Sequence, residues 1–293
     1  MQSVFITILC TVAALIAFAA NSVLCRLALG EGAIDPASFT VIRLVSGAIM
    51  LGVIMMVMRI TTSRRRIEEN RAKIQIGLKD WYAPAMLFTY ALAFSYAYVH
   101  LNTATGALIL FGSVQLSMTM NTILKGQRPS LQEWAGIVIA FSGLVYLMLP
   151  SVQQPSLVGF VLMAISGIAW GMYSVVGKKA TNPTVDTAKN FIRSIPFAIA
   201  LLILTYWQFN LSFQGVLLAI ASGAIASGMG YAIWYMAIKG LKVTQAAVAQ
   251  LSVPLIAAVG GIIFVDETFS TSLMISMLLI LGGISLVVFS KTK

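Results

Sequence analysis

Apolar residues run along this chain in long blocks, with short polar interruptions and no sustained strand-like alternation. A helix crossing ~30 Å of hydrocarbon needs about 20 mostly apolar residues. That window selects ten stretches, at roughly 4–28, 37–58, 82–100, 103–123, 132–149, 157–177, 187–207, 213–236, 243–265 and 271–290. They use most of the 293 residues and leave no room for a folded soluble domain. The longest polar segment, 59–80, reads as a loop with an amphipathic or disordered piece. The first block lacks the basic start and small-residue cleavage site of a signal peptide, and it is longer than a signal core, so it reads as a retained helix. The predicted fold class is an all-α integral membrane protein of ten transmembrane helices.

Composition narrows the function. Residues are 59% hydrophobic and only 10% charged, against about a quarter charged in soluble domains. Soluble enzymes, disordered scaffolds and nucleic-acid readers are excluded, and the lipid bilayer is the expected surrounding. The net charge of +10 follows the loops. The basic residues of 59–79, with Lys125, Arg128, Lys178, Lys179, Lys189, Lys239, Lys242, Lys291 and Lys293, gather at alternate helix ends and the C-terminus. The opposite loops, 29–36, 101–102, 150–156, 208–212 and 266–270, contain no Lys or Arg. By the positive-inside rule both termini are cytoplasmic. Only Arg26, Arg43 and Arg193 remain, and all three lie within predicted spans. Cys10 and Cys25 share the first helix, where fifteen residues rise about 22 Å, too far for a disulfide.

The chain also resembles itself. Tyr96-Ala97-Tyr98-Val99-His100-Leu101 returns 140 residues later as Met236-Ala237-Ile238-Lys239-Gly240-Leu241, and the same offset pairs Ala107 with Ala247, Ser130 with Ser270 and Gly143 with Gly283. Earlier, Ile42-Arg43 matches Ile192-Arg193, and Ser22-Val23 with Arg26 matches Ser174-Val175 with Lys178. The order is collinear across five helices per half, 1–150 and 151–293. Five is odd, so the second half is expected to enter the membrane inverted. Inverted repeats place a substrate site near the midplane and supply two near-equivalent states for alternating access.

At this point the chain resembles the ten-helix EamA branch of the drug/metabolite transporter superfamily. The resemblance rests on Phe18-Ala19-Ala20-Asn21-Ser22 with Arg26, the matching Trp170-Gly171-Met172-Tyr173-Ser174, the two repeat-related arginines, Ala246-Ala247 through Pro254, and the turn Asp266-Glu267-Thr268-Phe269-Ser270. The first half departs from it: Val114 stands where the second has Pro254, and the acidic turn has become Lys125-Gly126-Gln127-Arg128. The resemblance implies a multi-pass inner-membrane exporter of a bacterium, handling amino acids, other metabolites or amphipathic drugs. It also implies a cavity lined mainly by helices 1, 3, 4, 6, 8 and 9. It implies no cofactor.

All nine acids, Glu31, Asp35, Glu68, Glu69, Asp80, Glu133, Asp186, Asp266 and Glu267, lie in predicted loops or at span ends. Proton-driven carriers commonly bury a carboxylate at mid-depth. Coupling is therefore expected to be absent, or to run through an edge group such as Glu31, Asp35 or His100, the single histidine. Arg43 and Arg193 are costly inside a membrane. One reading has either hold a substrate carboxylate with its guanidinium fork; the other has them snorkel or bond backbone carbonyls. Tyr90 and Tyr98 on helix 3, Trp170 and Tyr173 on helix 6, and Tyr231 on helix 8 are aromatic candidates for the substrate pathway, with packing as the ordinary alternative. Asn21, Gln115 and Gln250 must face protein or a wet cavity, because an unsatisfied amide in hydrocarbon is expensive. Gly167-xxx-Gly171 and Gly223-xxx-Ser227 allow close helix crossings. Pro196 and Pro254 lie inside spans, and Pro254 is a candidate hinge.

Membrane enzymes find little support: no His-Glu-x-x-His motif, Gly-x-Ser-x-Gly elbow or phosphate-cradling Gly-x-x-x-x-Gly-Lys-Ser/Thr loop occurs. No metal site is expected. A channel suits an inverted repeat less well than a carrier does. Among carriers, buried arginines and amides without a buried acid favour a zwitterionic or anionic small molecule over an organic cation, so amino-acid or metabolite export leads and drug efflux is the alternative. The short loops assign no subunit count.

Overall fold

A computed structural model describes residues 4–61, 78–126, 130–148, 155–177, 182–241, 246 and 249–289. The basic run 62–77, Gln127, Arg128, Lys178, Lys179, Lys242, Ala247, Lys291 and Lys293, all used in the sequence reading, lie outside the described residues.

Among the described residues ten helices follow one another: α1 (Val4–Gly30), α2 (Pro36–Thr61), α3 (Tyr82–Tyr98), α4 (Thr103–Leu124), α5 (Leu131–Leu147), α6 (Leu157–Gly177), α7 (Pro183–Leu204), α8, α9 (Val253–Val265) and α10 (Thr271–Val288). The eighth, α8, is composite. It begins as Phe213–Ile220, widens into a π-helical stretch over Ala221–Met229, and resumes as Gly230–Ala237. Seven of the ten are long and apolar enough to cross a membrane by length and composition, while α5 and α9 are shorter apolar helices.

Helix starts follow local chemistry. The α5 start is a capping box: the Glu133 N–H donates to Ser130 Oγ at 3.2 Å, and the Ser130 N–H to Glu133 Oε2 at 2.6 Å, satisfying two orphan donors reciprocally. Ser270, the repeat counterpart of Ser130, accepts from the Leu273 N–H at 3.1 Å and starts α10. Helix α7 begins four residues before the expected 187, because Asn182 caps it and Pro183 occupies its first turn, where a missing N–H costs nothing. That places Arg193 ten residues into the helix, deeper than the sequence reading had it. Pro196 lies inside α7, as expected. Pro254 instead sits in the first turn of α9, just after a turn at Leu251-Ser252. The chain breaks its helix before the proline, so no interior hydrogen bond is lost there.

The most extensive helix contacts join α5 to α10, α3 to α6, α4 to α6, α2 to both α7 and α8, and α1 to both α8 and α9. Exchanging every helix for the one five places along turns α3–α6 into α8–α1 and α4–α6 into α9–α1, and leaves α2–α7 and α5–α10 unchanged. Two crossings are backbone-close. A methyl on Gly283 would lie 2.5 Å from both the Ala140 nitrogen and the Gly136 carbonyl, so α5 and α10 touch through their main chains. A methyl on Gly223 would overlap the Arg43 carbonyl and Ser46 Oγ, so the π stretch rests on the Arg43 turn of α2. The buried core runs continuously from α1 to α10.

Candidate functional site

One end of the bundle is tied shut. The loop after α1 zips onto the one before α8: the Asp35 N–H donates to the Asn210 carbonyl at 3.0 Å and the Ser212 N–H to the Ala33 carbonyl at 3.0 Å. Asp35 Oδ2 accepts from the Asn210 N–H at 3.2 Å, and its Oδ1 accepts from the Ser38 N–H at 2.8 Å, capping α2. Beside this zipper, Arg26 Nε of α1 meets Glu267 Oε1 at 3.3 Å, and Arg26 Nη1 donates to the Tyr98 carbonyl at 3.0 Å. Glu267 also accepts from the Thr103 N–H at 2.8 Å and from Thr103 Oγ1 at 3.1 Å, so one carboxylate holds a guanidinium and the N-terminus of α4, where the helix dipole favours negative charge. Asp266, in the left-handed region at φ 53°, makes the turn that aims Glu267 inward. The side chains of Arg26 and Glu267 retain only 20% and 10% exposure. A cavity of about 460 Å³, counting its mouth, lies beside Glu267 and is lined by Asn102, Thr105 and Ser270 among others.

Deeper in the bundle lies a second cavity, about 430 Å³ with its mouth included. Its walls come from six helical segments. Phe18, Asn21 and Ser22 belong to α1, Tyr90 and Phe94 to α3, and Leu110 and Phe111 to α4. Trp170 is contributed by α6, Ala226, Ser227 and Tyr231 by α8, and Gln250 by the approach to α9. These are the helices the family resemblance implies. Trp170 is the centre of the aromatic wall, with ring centroids 4.8 Å from Tyr90, 5.3 Å from Tyr173 and 5.1 Å from Tyr231, the last two stacked. Such pairs contribute ~0.5–1.5 kcal/mol each beyond area burial. Phe18 closes the wall against Tyr231 and Trp234, 5.8 Å from each.

A chain of hydrogen bonds crosses four helices behind this wall. Ser222 Oγ of α8 donates to Asn21 Oδ1 at 2.6 Å, Asn21 Nδ2 reaches Tyr90 Oη at 3.4 Å, and Arg43 Nη2 donates to the same oxygen at 2.8 Å. The Arg43 guanidinium lies 5.0 Å from the Tyr90 ring centroid and 4.8 Å from that of Phe94. Arg43 is 2% exposed, and its Nη1 has no hydrogen-bond partner. Among the described residues the ion pairs are Arg26–Glu267 and Lys189–Asp186, so no carboxylate neutralises it.

The structure thus brings together Asn21, Arg43, Tyr90, Trp170, Tyr173, Tyr231 and Gln250. It places the other candidates elsewhere. Tyr98 donates to the Thr103 carbonyl at 3.3 Å and its ring lies against Gly106. Arg193 Nη1 reaches the Asp80 carbonyl at 3.4 Å, matching the backbone-bonding alternative. Gln115 and Pro254 do not line the cavity. Among the residues that the sequence did not single out for the site are the polar Ser222 and Glu267 and the wall residues Phe18, Phe111 and Ser227. Glu267 was visible as part of the acidic turn, and Ser222 directly precedes the Gly223-xxx-Ser227 spacing. Among the described residues no group of three or more His, Cys, Asp or Glu can hold a metal ion.

The model of the EamA-like transporter family matches residues 5–149 and again 157–289. The chain belongs to the EamA-like transporter family. It is a transporter, not an enzyme, and a multi-pass membrane protein. An uncharacterised protein of Pseudomonas aeruginosa is 43% identical over 96% of this chain and 94% of its own. A probable amino-acid metabolite efflux pump of Escherichia coli is 23% identical over 75% of this chain and 79% of its own. A solved crystal structure superposes with a TM-score of 0.62 at 20% identity, covering 94% of this chain and 96% of the other, and so shares the fold.

Proposed function

We propose that this EamA-family member is a secondary carrier exporting amino acids or similar small metabolites by alternating access, with substrate bound in the cavity around Trp170. The observation that carries this reading is the cavity itself, which draws its walls from both halves, 1–150 and 151–293. Inverted five-helix halves fit the contact pattern, which maps onto itself when the halves are exchanged. Cytoplasmic termini and a bacterial inner membrane fit the loops free of Lys and Arg and the bacterial relatives. A closed Glu267 end suits one state of such a cycle. The break before Pro254 supports a hinge there. Amide and aromatic walls without an acid suit a zwitterion better than an organic cation.

The test is counterflow in proteoliposomes loaded with a panel of unlabelled amino acids at matched pH. Exchange with a labelled amino acid, lost in Trp170→Ala, supports the reading. Absence of exchange by folded protein for every amino acid removes the substrate assignment and leaves the family.

A further inference from the structure

A guanidinium at the centre of a helical bundle needs a reason to be there. Arg26 has one in Glu267, and Arg193 one in the Asp80 carbonyl. Among the described residues Arg43 has neither an acid nor a backbone acceptor: it is 2% exposed, one arm is unpartnered, and its guanidinium meets two aromatic faces and one phenol oxygen. Removing a charge from water is costly even after relaxation, and cation–π attraction returns only part of that cost. The remainder is a standing demand for negative charge.

The geometry says where that demand is expressed. Arg43 does not itself line the central cavity, whereas Tyr90, Phe94 and Asn21 do. Tyr90 Oη already accepts from both Arg43 and Asn21. A phenol oxygen has two acceptor positions and one proton, so with both acceptors engaged the proton points away from these donors. Hydrogen bonds in series polarise one another, and a hydroxyl accepting from a guanidinium is a strengthened donor. Asn21 is fixed in turn by Ser222, which leaves the amide no freedom to compete. Among the described residues no Asp or Glu lines the cavity.

We propose that Arg43 and Tyr90 together read a carboxylate: Tyr90 donates its hydroxyl proton to a carboxylate oxygen of the ligand, Arg43 supplies the counter-charge from behind, and the Trp170–Tyr231 wall packs on the ligand's apolar part. The ligand class is a small organic monocarboxylate with an apolar or aromatic group, with or without an amine. This deepens the carrier reading by resting on the same cavity, and it makes the free carboxylate the discriminating group.

Binding to purified, detergent-solubilised protein tests it without requiring transport. The probes are matched pairs: L-phenylalanine against its amide and methyl ester, and 3-phenylpropionate against 3-phenylpropanamide, with tetraphenylphosphonium as the cationic control. Thermal shift and titration calorimetry of wild type are expected to rank each acid at least tenfold above its neutral partner, and the cation last. Tyr90→Phe, which keeps the ring contacts, and Arg43→Gln are expected to reduce the acid preference below twofold, with Arg43→Lys retaining part of it. Should Arg43→Gln fail to fold, Tyr90→Phe and the wild-type ranking decide. Equal binding of acid and amide, tighter binding of the cation, no binding by either acid, or full discrimination in folded Tyr90→Phe each overturns the proposal. Silent counterflow with the acid preference intact overturns the carrier reading instead.

Discussion

Replacing Glu267 by Gln keeps the shape of the closure and deletes its charge. Two unit charges 4 Å apart attract by ~4 kcal/mol at an effective dielectric of 20. The partial exposure of Arg26 and Glu267, 20% and 10%, and the desolvation of both groups offset part of that, leaving about 2 kcal/mol. The amide oxygen of the substituted side chain still accepts from the Thr103 N–H, so the cap on α4 survives and the loss falls on the tie between α1 and the α9–α10 turn. If that tie holds the end shut, the open fraction rises about 30-fold for 2 kcal/mol. A native reporter sits beside it: Cys25 is a free thiol with no exposed surface, one residue before Arg26. In a Cys10→Ala background, the labelling rate of Cys25 by a membrane-impermeant maleimide tracks the open fraction whenever opening and reclosing outrun labelling. The expected outcome is a 10- to 30-fold faster rate in Glu267→Gln, with little change for Glu31→Gln as control. Wild-type labelling in a folded Glu267→Gln protein would refute the reasoning, because the pair would then contribute nothing to closure.

Gly223→Ala drives a methyl into the Arg43 carbonyl and Ser46 Oγ; overpacking of this kind costs ~1–3 kcal/mol, and backbone contact puts it at the upper end, read as a lowered unfolding temperature. Ser130→Ala removes half of the α5 capping box and costs about 1 kcal/mol, measured the same way, with counterflow unchanged. Trp170→Ala loses three ring contacts worth ~1.5–4.5 kcal/mol together, and is expected to cut counterflow at least tenfold, while Trp170→Phe recovers most of it.

Most of the fold was legible because length and hydrophobicity set it locally. Each of the ten apolar windows holds a helix, with ends within a few residues except at α7 and α9. The α7 start followed an Asn-Pro pair whose capping meaning was available in the sequence, and the α9 start followed a proline that lacks an N–H. The site was only half legible. Spacing could place Trp170 and Tyr173, or Tyr90 and Phe94, on one helical face, but not tell which faces meet. The pairing of Arg26 with Glu267, 241 positions apart, depends on α1 lying against α9. Tyr98 shares the Tyr90 face, its ring 4.7 Å from that of Phe94, but lies two turns nearer the helix end, where it seats on Gly106 and not at the cavity. The lone charge of Arg43 could be suspected from the sequence; that no acid approaches it could not.

The widened stretch of α8 changes which of its side chains can act together. In an α-helix each residue turns about 100°, so Ser222 and Tyr231 would point about 180° apart. A π-helix, bonded i to i+5, takes about 4.4 residues per turn, which brings the two to within about 60° of one another across Ala221–Met229. Ser222 thereby reaches Asn21 while Tyr231 faces the cavity nine residues later. A π stretch is an α-helix with surplus chain wound into it, so removing a single residue such as Ala224 lets the helix tighten. With eight α-helical steps then left between them, Ser222 and Tyr231 would stand about 80° apart, so that deletion is expected to remove the widening and still keep Tyr231 in the wall it shares with Trp170 and Tyr90.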